Sequence, residues 1–116
     1  MNDKLKGAVL LTIGRGGWTL YYPSEITEHA KVTHTLQGYG IDAELIEDAV
    51  KMGVPVVDNR TIPDGCILRF SLGCPMVNPD LTTDEADTVQ EHGTSLRYCT
   101  VKTYIRIARQ WGAVVR

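Results

Sequence analysis

Lys102, Arg106 and Arg109 stand near the end of this chain at i, i+4 and i+7, a spacing that puts three cationic side chains on one side of an α-helix. Ammonium and guanidinium groups in such a row suit phosphate oxygens, since each supplies charge and arginine adds a fork of N–H donors. From Ser95 to Arg116 every charged residue is positive: Arg97, Lys102, Arg106, Arg109 and Arg116. From Asn78 to Gly93 every charged residue is negative: Asp80, Asp84, Glu85, Asp87 and Glu91. The formal net charge of −2 conceals this polarity. The chain is no polycation, so any nucleic-acid contact must come from local segregation of charge. Arg97, Lys102, Arg106 and Arg109 are therefore the expected nucleic-acid-binding residues. Arg15, at the tip of a glycine-rich turn, is a further expected anion or partner contact.

Other reactive residue types are present without a pattern that makes them a site. Cys66, Cys74 and Cys99 are odd in number and form no Cys-x-x-Cys pair, and the spacing of the first two matches no common zinc motif. Buried, reduced thiols are the expectation. His29 and His34 would lie about 140° apart around a helix axis, so they cannot share a metal as an i, i+4 pair can. His92 stands alone. Asp42, Glu44, Glu47 and Asp48 gather on the polar side of an amphipathic helix, where solvated carboxylates are the ordinary outcome. The stretch "GRGGWT" at 14–19 follows a strand and suggests a phosphate loop. A dinucleotide fingerprint needs G-x-G-x-x-G opening a helix, whereas here the third place is Thr19 and the continuation is strand-like. A hairpin turn is the better reading. No catalytic residue, metal ligand or cofactor is assigned, and an enzyme is not the expectation.

The segment "TVKTYIRIARQWGA" at 100–113 resembles the recognition helix of LuxR-type regulators, a family that binds DNA through a helix-turn-helix. Thr100, Val101, Lys102, Thr103, Arg109 and Gly112 carry the likeness. "LTTDEADTVQEHG" at 81–93 is similar to the leucine-threonine opening of that family's first helix. The family has a further helix between these two parts, and here only "TSLRYC" separates them, which is too short to hold one. Membership is not assigned.

The elements that must hold these residues follow from pattern. "GAVLLTIGRGGWTLYYP" reads as two strands, about Ala8–Ile13 and Trp18–Tyr22, joined at Gly14-Arg15-Gly16-Gly17. Pro23 and Ser24 announce a helix over "EITEHAKVTHTLQ" at 25–37, with Ser24 as N-cap, a thin stripe of Ile26, Ala30, Thr33 and Leu36, and an end at "GYG". The strongest helical period lies in "IDAELIEDAVKMG" at 41–53, where Ile41, Leu45, Ile46, Ala49 and Val50 share a face and Gly53 suits the C′ position. "VPVV" is a short buried strand, and "CILRFSLG" at 66–73 alternates as another. Thr82 to Glu85 forms a capping box that opens a short acidic helix, 82–92. The last helix starts at Thr100, with Val101, Tyr104, Ile105, Ala108 and Trp111 as its apolar stripe and Gly112 as its stop.

The chain has 116 residues, 43% apolar and 22% charged, enough for a hydrophobic core without metal or disulfide staples. The expected fold is a single small α+β domain over residues 1–116, with a mostly antiparallel sheet of about four strands packed against about four helices. Its core is expected to include Val9, Leu11, Leu20, Leu45, Ile46, Val50, Val56, Leu68, Phe70, Ile105 and Trp111. "MNDKLKG" shows no apolar signal region and the apolar runs are far short of a membrane span, so a cytoplasmic protein with no membrane partner is expected. The leading functional expectation is a small nucleic-acid-binding or accessory protein that meets DNA or RNA with its basic C-terminal helix. One alternative is a non-catalytic interaction module that forms a homo-oligomer through complementary acidic and basic helices. The other is a small-ligand-binding protein or enzyme with a pocket near the aromatic strand at Trp18, Tyr21 and Tyr22.

Overall fold

A computed structural model of the chain describes residues 2–23, 32–61, 100–110 and 112–116. The described strands are β1 (Leu10–Ile13), β2 (Gly17–Pro23), β3 (Val32–Tyr39), β4 (Val56–Asp58) and β5 (Val114–Val115). Two α-helices are described, α1 (Ala43–Met52) and α2 (Val101–Gln110), with 3₁₀ turns at Asp3–Leu5 and Asn59–Thr61. The strands form one sheet in the order β3-β2-β1-β4-β5. β1 and β4 run parallel, and the other neighbours are antiparallel.

The apolar runs "AVLL" and "VPVV" make physical sense in this sheet. β1 is buried along its whole length, as are the three residues of β4. Strands covered on both faces read as unbroken apolar runs rather than as alternation. Leu11, Ile13, Trp18, Leu20 and Val56 pack on one face with Leu45 and Ala49 of α1. Leu10 and Val57 pack on the other face with Tyr104 and Ala108 of α2. Among the described elements, the sheet is thus a middle layer with α1 on one side and α2 on the other.

Both helices begin and end where their chemistry dictates. The Asp42 carboxylate accepts from the Leu45 amide at 3.0 Å, capping α1. Gly53 takes the left-handed conformation at φ 78° and donates to the carbonyls of Ala49 and Val50. At α2 the Thr100 hydroxyl accepts from the Thr103 amide at 3.2 Å. Past its end the Ala113 amide donates to the Ala108 carbonyl, with Gly112 at φ 99°.

Several expectations are corrected. The sheet is mixed, and the described residues supply five strands and two α-helices, in place of a mostly antiparallel sheet of about four strands with about four helices. The α+β class itself stands. The helix expected over 25–37 is overturned from Val32 onward, where β3 pairs antiparallel with β2 in the register Leu20↔Leu36 and Tyr22↔His34. The reason is the sheet: "VTHTLQGY" is rich in strand-favouring residues, and β2 offers it a full ladder, whereas its helical stripe is thin. Val50 is 47% exposed, not core, because the buried face of α1 is centred on Leu45 and Ala49. Ile41 precedes the Asp42 cap and lies outside the helix. β5 was not foreseen, since two residues show no period; it is fixed by paired bonds between the Val56 and Arg116 backbones at 2.9 and 3.1 Å. The expected strand 66–73, the acidic helix 82–92 and the core residues Leu68, Phe70 and Trp111 lie outside what is described of the chain.

Candidate functional site

α2 has two faces, set by its residue spacing. Tyr104, Ile107 and Ala108 are buried against the sheet, with Val101 and Ile105 packed at the margin of that cluster. This leaves Lys102 and Arg109 exposed and Arg106 half-buried along the outer side. Seven residues at the helical rise separate Lys102 from Arg109 by about 10 Å along the axis. β5 runs back beside β4 and brings Arg116 opposite Val56.

These cations share one groove of about 790 Å³. Lys102, Arg106 and Arg109 of α2 and Arg116 beyond β5 line it. So do Val50 and Gly53 from the end of α1, and Val54 and Pro55 from the connection into β4. Val101, Ile105 and Val115 complete the lining. No Asp or Glu is among the described lining residues. A concave surface with one sign of charge concentrates oppositely charged ligands, and its apolar part favours a ligand that also carries apolar surface.

The remaining sequence candidates are placed apart from the groove or outside the described residues. Arg97 lies outside them, as do Cys66, Cys74, Cys99, His29 and His92. Arg15 sits in the turn after the C-terminal end of β1, while the groove opens at the N-terminal end of the parallel strand β4. The structure therefore does not bring Arg15 to the cations of α2. His34 stacks on Tyr22, ring centroids 4.7 Å apart and 6° from parallel. Among the described residues, no group of three or more His, Cys, Asp or Glu side chains could hold a metal ion.

The aromatic strand is occupied by packing. Trp18 is buried, with the Lys4 ammonium 5.5 Å from its ring. Tyr22 donates its hydroxyl to the Lys4 carbonyl, and burial pushes the Tyr22 phenol above its ordinary value. The Thr12 hydroxyl donates to the Tyr21 oxygen at 3.5 Å.

One further charged pair is built in at the C-terminal end of β4. Asp58, 4% exposed, accepts from Arg60 Nε at 2.9 Å and from the Arg60 amide at 3.0 Å, and Arg60 Nη2 reaches its second oxygen. The guanidinium hydrogen bond holds the Asp58 carboxyl below the usual carboxylate range against the opposing effect of burial. The Arg60 amide and the charges of Arg60 and Arg116 act in the same direction as that bond. This fork fixes the strand end and leaves Arg60 committed to Asp58 rather than to a ligand.

Of the cations in the described lining, Lys102, Arg106 and Arg109 stand in the helical row that the sequence shows. Arg116 was visible only as part of the all-positive run from Ser95 onward, and its place in the site depends on the pairing of β5 with β4. The uncharged wall of Val50, Gly53, Val54 and Pro55 carried no chemical signal, because it becomes a wall only when α2 packs across the sheet from α1.

Comparison with protein-family models, with curated proteins and with solved structures gave no match. Among the described residues, no helix is long and apolar enough to cross a membrane.

Proposed function

We propose that this chain is a small nucleic-acid-binding or accessory protein that holds phosphates along α2. The observation that carries the reading is the grouping of Lys102, Arg106, Arg109 and Arg116 in one groove with no acidic side chain among its described lining, in a chain whose net charge is −2. Cations distributed only for solubility would be interspersed with carboxylates. Lys102 and Arg109 reach phosphate oxygens from the exposed side of the helix, and the buried face of α2 holds the row in place.

The test is a binding titration of a labelled oligonucleotide at low and at moderate salt, with the wild-type chain and with Lys102→Glu/Arg109→Glu. Both substituted residues are exposed, so the fold survives the change. The wild-type chain binds at low salt and the double variant loses that binding. Absence of wild-type binding at low salt ends this reading.

A further inference from the structure

The groove is one-sided. Among the described lining residues every cation comes from α2 or is Arg116, and Val50, Gly53, Val54 and Pro55 on the facing wall are uncharged. That wall is the end of an acidic helix: α1 and its cap hold Asp42, Glu44, Glu47 and Asp48 against a single Lys51, which is itself paired with Glu47 at 3.2 Å. The C-terminal carbonyl end of α1, at Gly53, adds negative potential on the same side.

A duplex presents two rails of phosphate and keeps its bases inside. Seated here, one rail would meet the cations while the other would approach the acidic helix. A single strand has the opposite layout, with phosphates along one edge and exposed base faces along the other. We infer that the groove takes one unpaired nucleic-acid strand, its phosphates on the exposed cations Lys102, Arg109 and Arg116 and its bases against the wall of Val50, Gly53, Val54 and Pro55. This rests on the nucleic-acid reading above and narrows it to single strands. The wall is aliphatic, so bases contact it without the aromatic stacking that gives strong base preference, and the site is indifferent to sequence.

Fluorescence anisotropy with four labelled probes tests this: an oligothymidylate of about ten nucleotides, an abasic oligomer and a duplex of the same length, and a polyglutamate peptide of matched charge. The oligothymidylate binds at least about tenfold more tightly than each of the other three, because it alone offers both phosphates and accessible bases. Val50→Glu, at a half-exposed position outside the packed core, weakens oligothymidylate binding by at least about tenfold and leaves the unfolding midpoint unchanged. Equal binding of duplex or abasic oligomer, or an unaffected Val50→Glu variant, overturns the single-strand inference and leaves nucleic-acid binding standing. Equal binding of polyglutamate, or no binding of any probe, overturns both.

Discussion

The Trp18 indole occupies the space in which a side chain at Gly38 would lie: a Cβ built on Gly38 overlaps the ring atoms Cε2, Cζ2 and Nε1. The two residues face each other across the β2–β3 ladder. Trp18 is buried and belongs to the cluster that joins the sheet to α1, so its ring cannot move aside without opening that cluster. Gly38→Ala is expected to destabilise the fold by about 1–3 kcal/mol, the usual cost of overpacking. Denaturant unfolding with an unchanged m-value and a lower midpoint shows this, and an unchanged midpoint shows that the ring yields freely.

Asp58 ties stability to acid pH. Its carboxyl ionises more readily in the folded chain than in the unfolded one, because the Arg60 guanidinium binds the charged form. A group with a depressed folded value stabilises the fold at pH above its unfolded value, about 3.9, and that contribution is lost as pH falls through the lower folded value. Asp58→Asn removes the contribution at all pH. The difference in unfolding midpoint between wild type and Asp58→Asn should therefore be largest near neutral pH and shrink below about pH 4. A difference that is constant from neutral pH to strong acid contradicts the role given to the fork.

Thr100 anchors the helix that carries the cations. Its hydroxyl accepts from the Thr103 amide and its carbonyl accepts from the Tyr104 amide at 2.9 Å. Thr100→Ala removes the side-chain cap and is expected to cost about 1 kcal/mol, whereas Thr100→Ser retains most of it. Comparison of the two variants by thermal unfolding isolates the hydroxyl from the methyl group. Equal midpoints for the Ala and Ser variants would show that the cap contributes nothing.

Much of this architecture is written in local pattern. The apolar-rich stretches at 8–13 and 54–57 are legible as strands, and they contain the parallel pair β1 and β4. Gly53 closes α1, and Thr100 and Gly112 bracket α2, because caps act within a few residues of themselves, whereas Ile41 extends the apolar period past the Asp42 cap and hides it. The strand character of β3 is not local, because it depends on the ladder that β2 offers. β5 escaped because two residues carry no period, and Val56 decides their conformation. Ile107 lies outside the expected apolar stripe of α2 and is buried all the same, one turn from Tyr104 and beside Ala108. The candidate site divides in the same way. The spacing of Lys102, Arg106 and Arg109 is local and legible, whereas the concavity that unites them with Arg116 and faces them with Val50 requires both helices docked on one sheet.

The salt dependence of single-strand binding tests the central claim most directly. If the exposed cations Lys102, Arg109 and Arg116 each neutralise one phosphate, log Kd for an oligothymidylate should rise with log salt concentration with a slope of about 2.1. Replacing Lys102 and Arg109 by Gln should bring that slope to about a third, since two of the three ion contacts are gone. A slope near zero in the wild-type chain, or a slope that Lys102→Gln/Arg109→Gln leaves unchanged, would contradict phosphate binding in this groove.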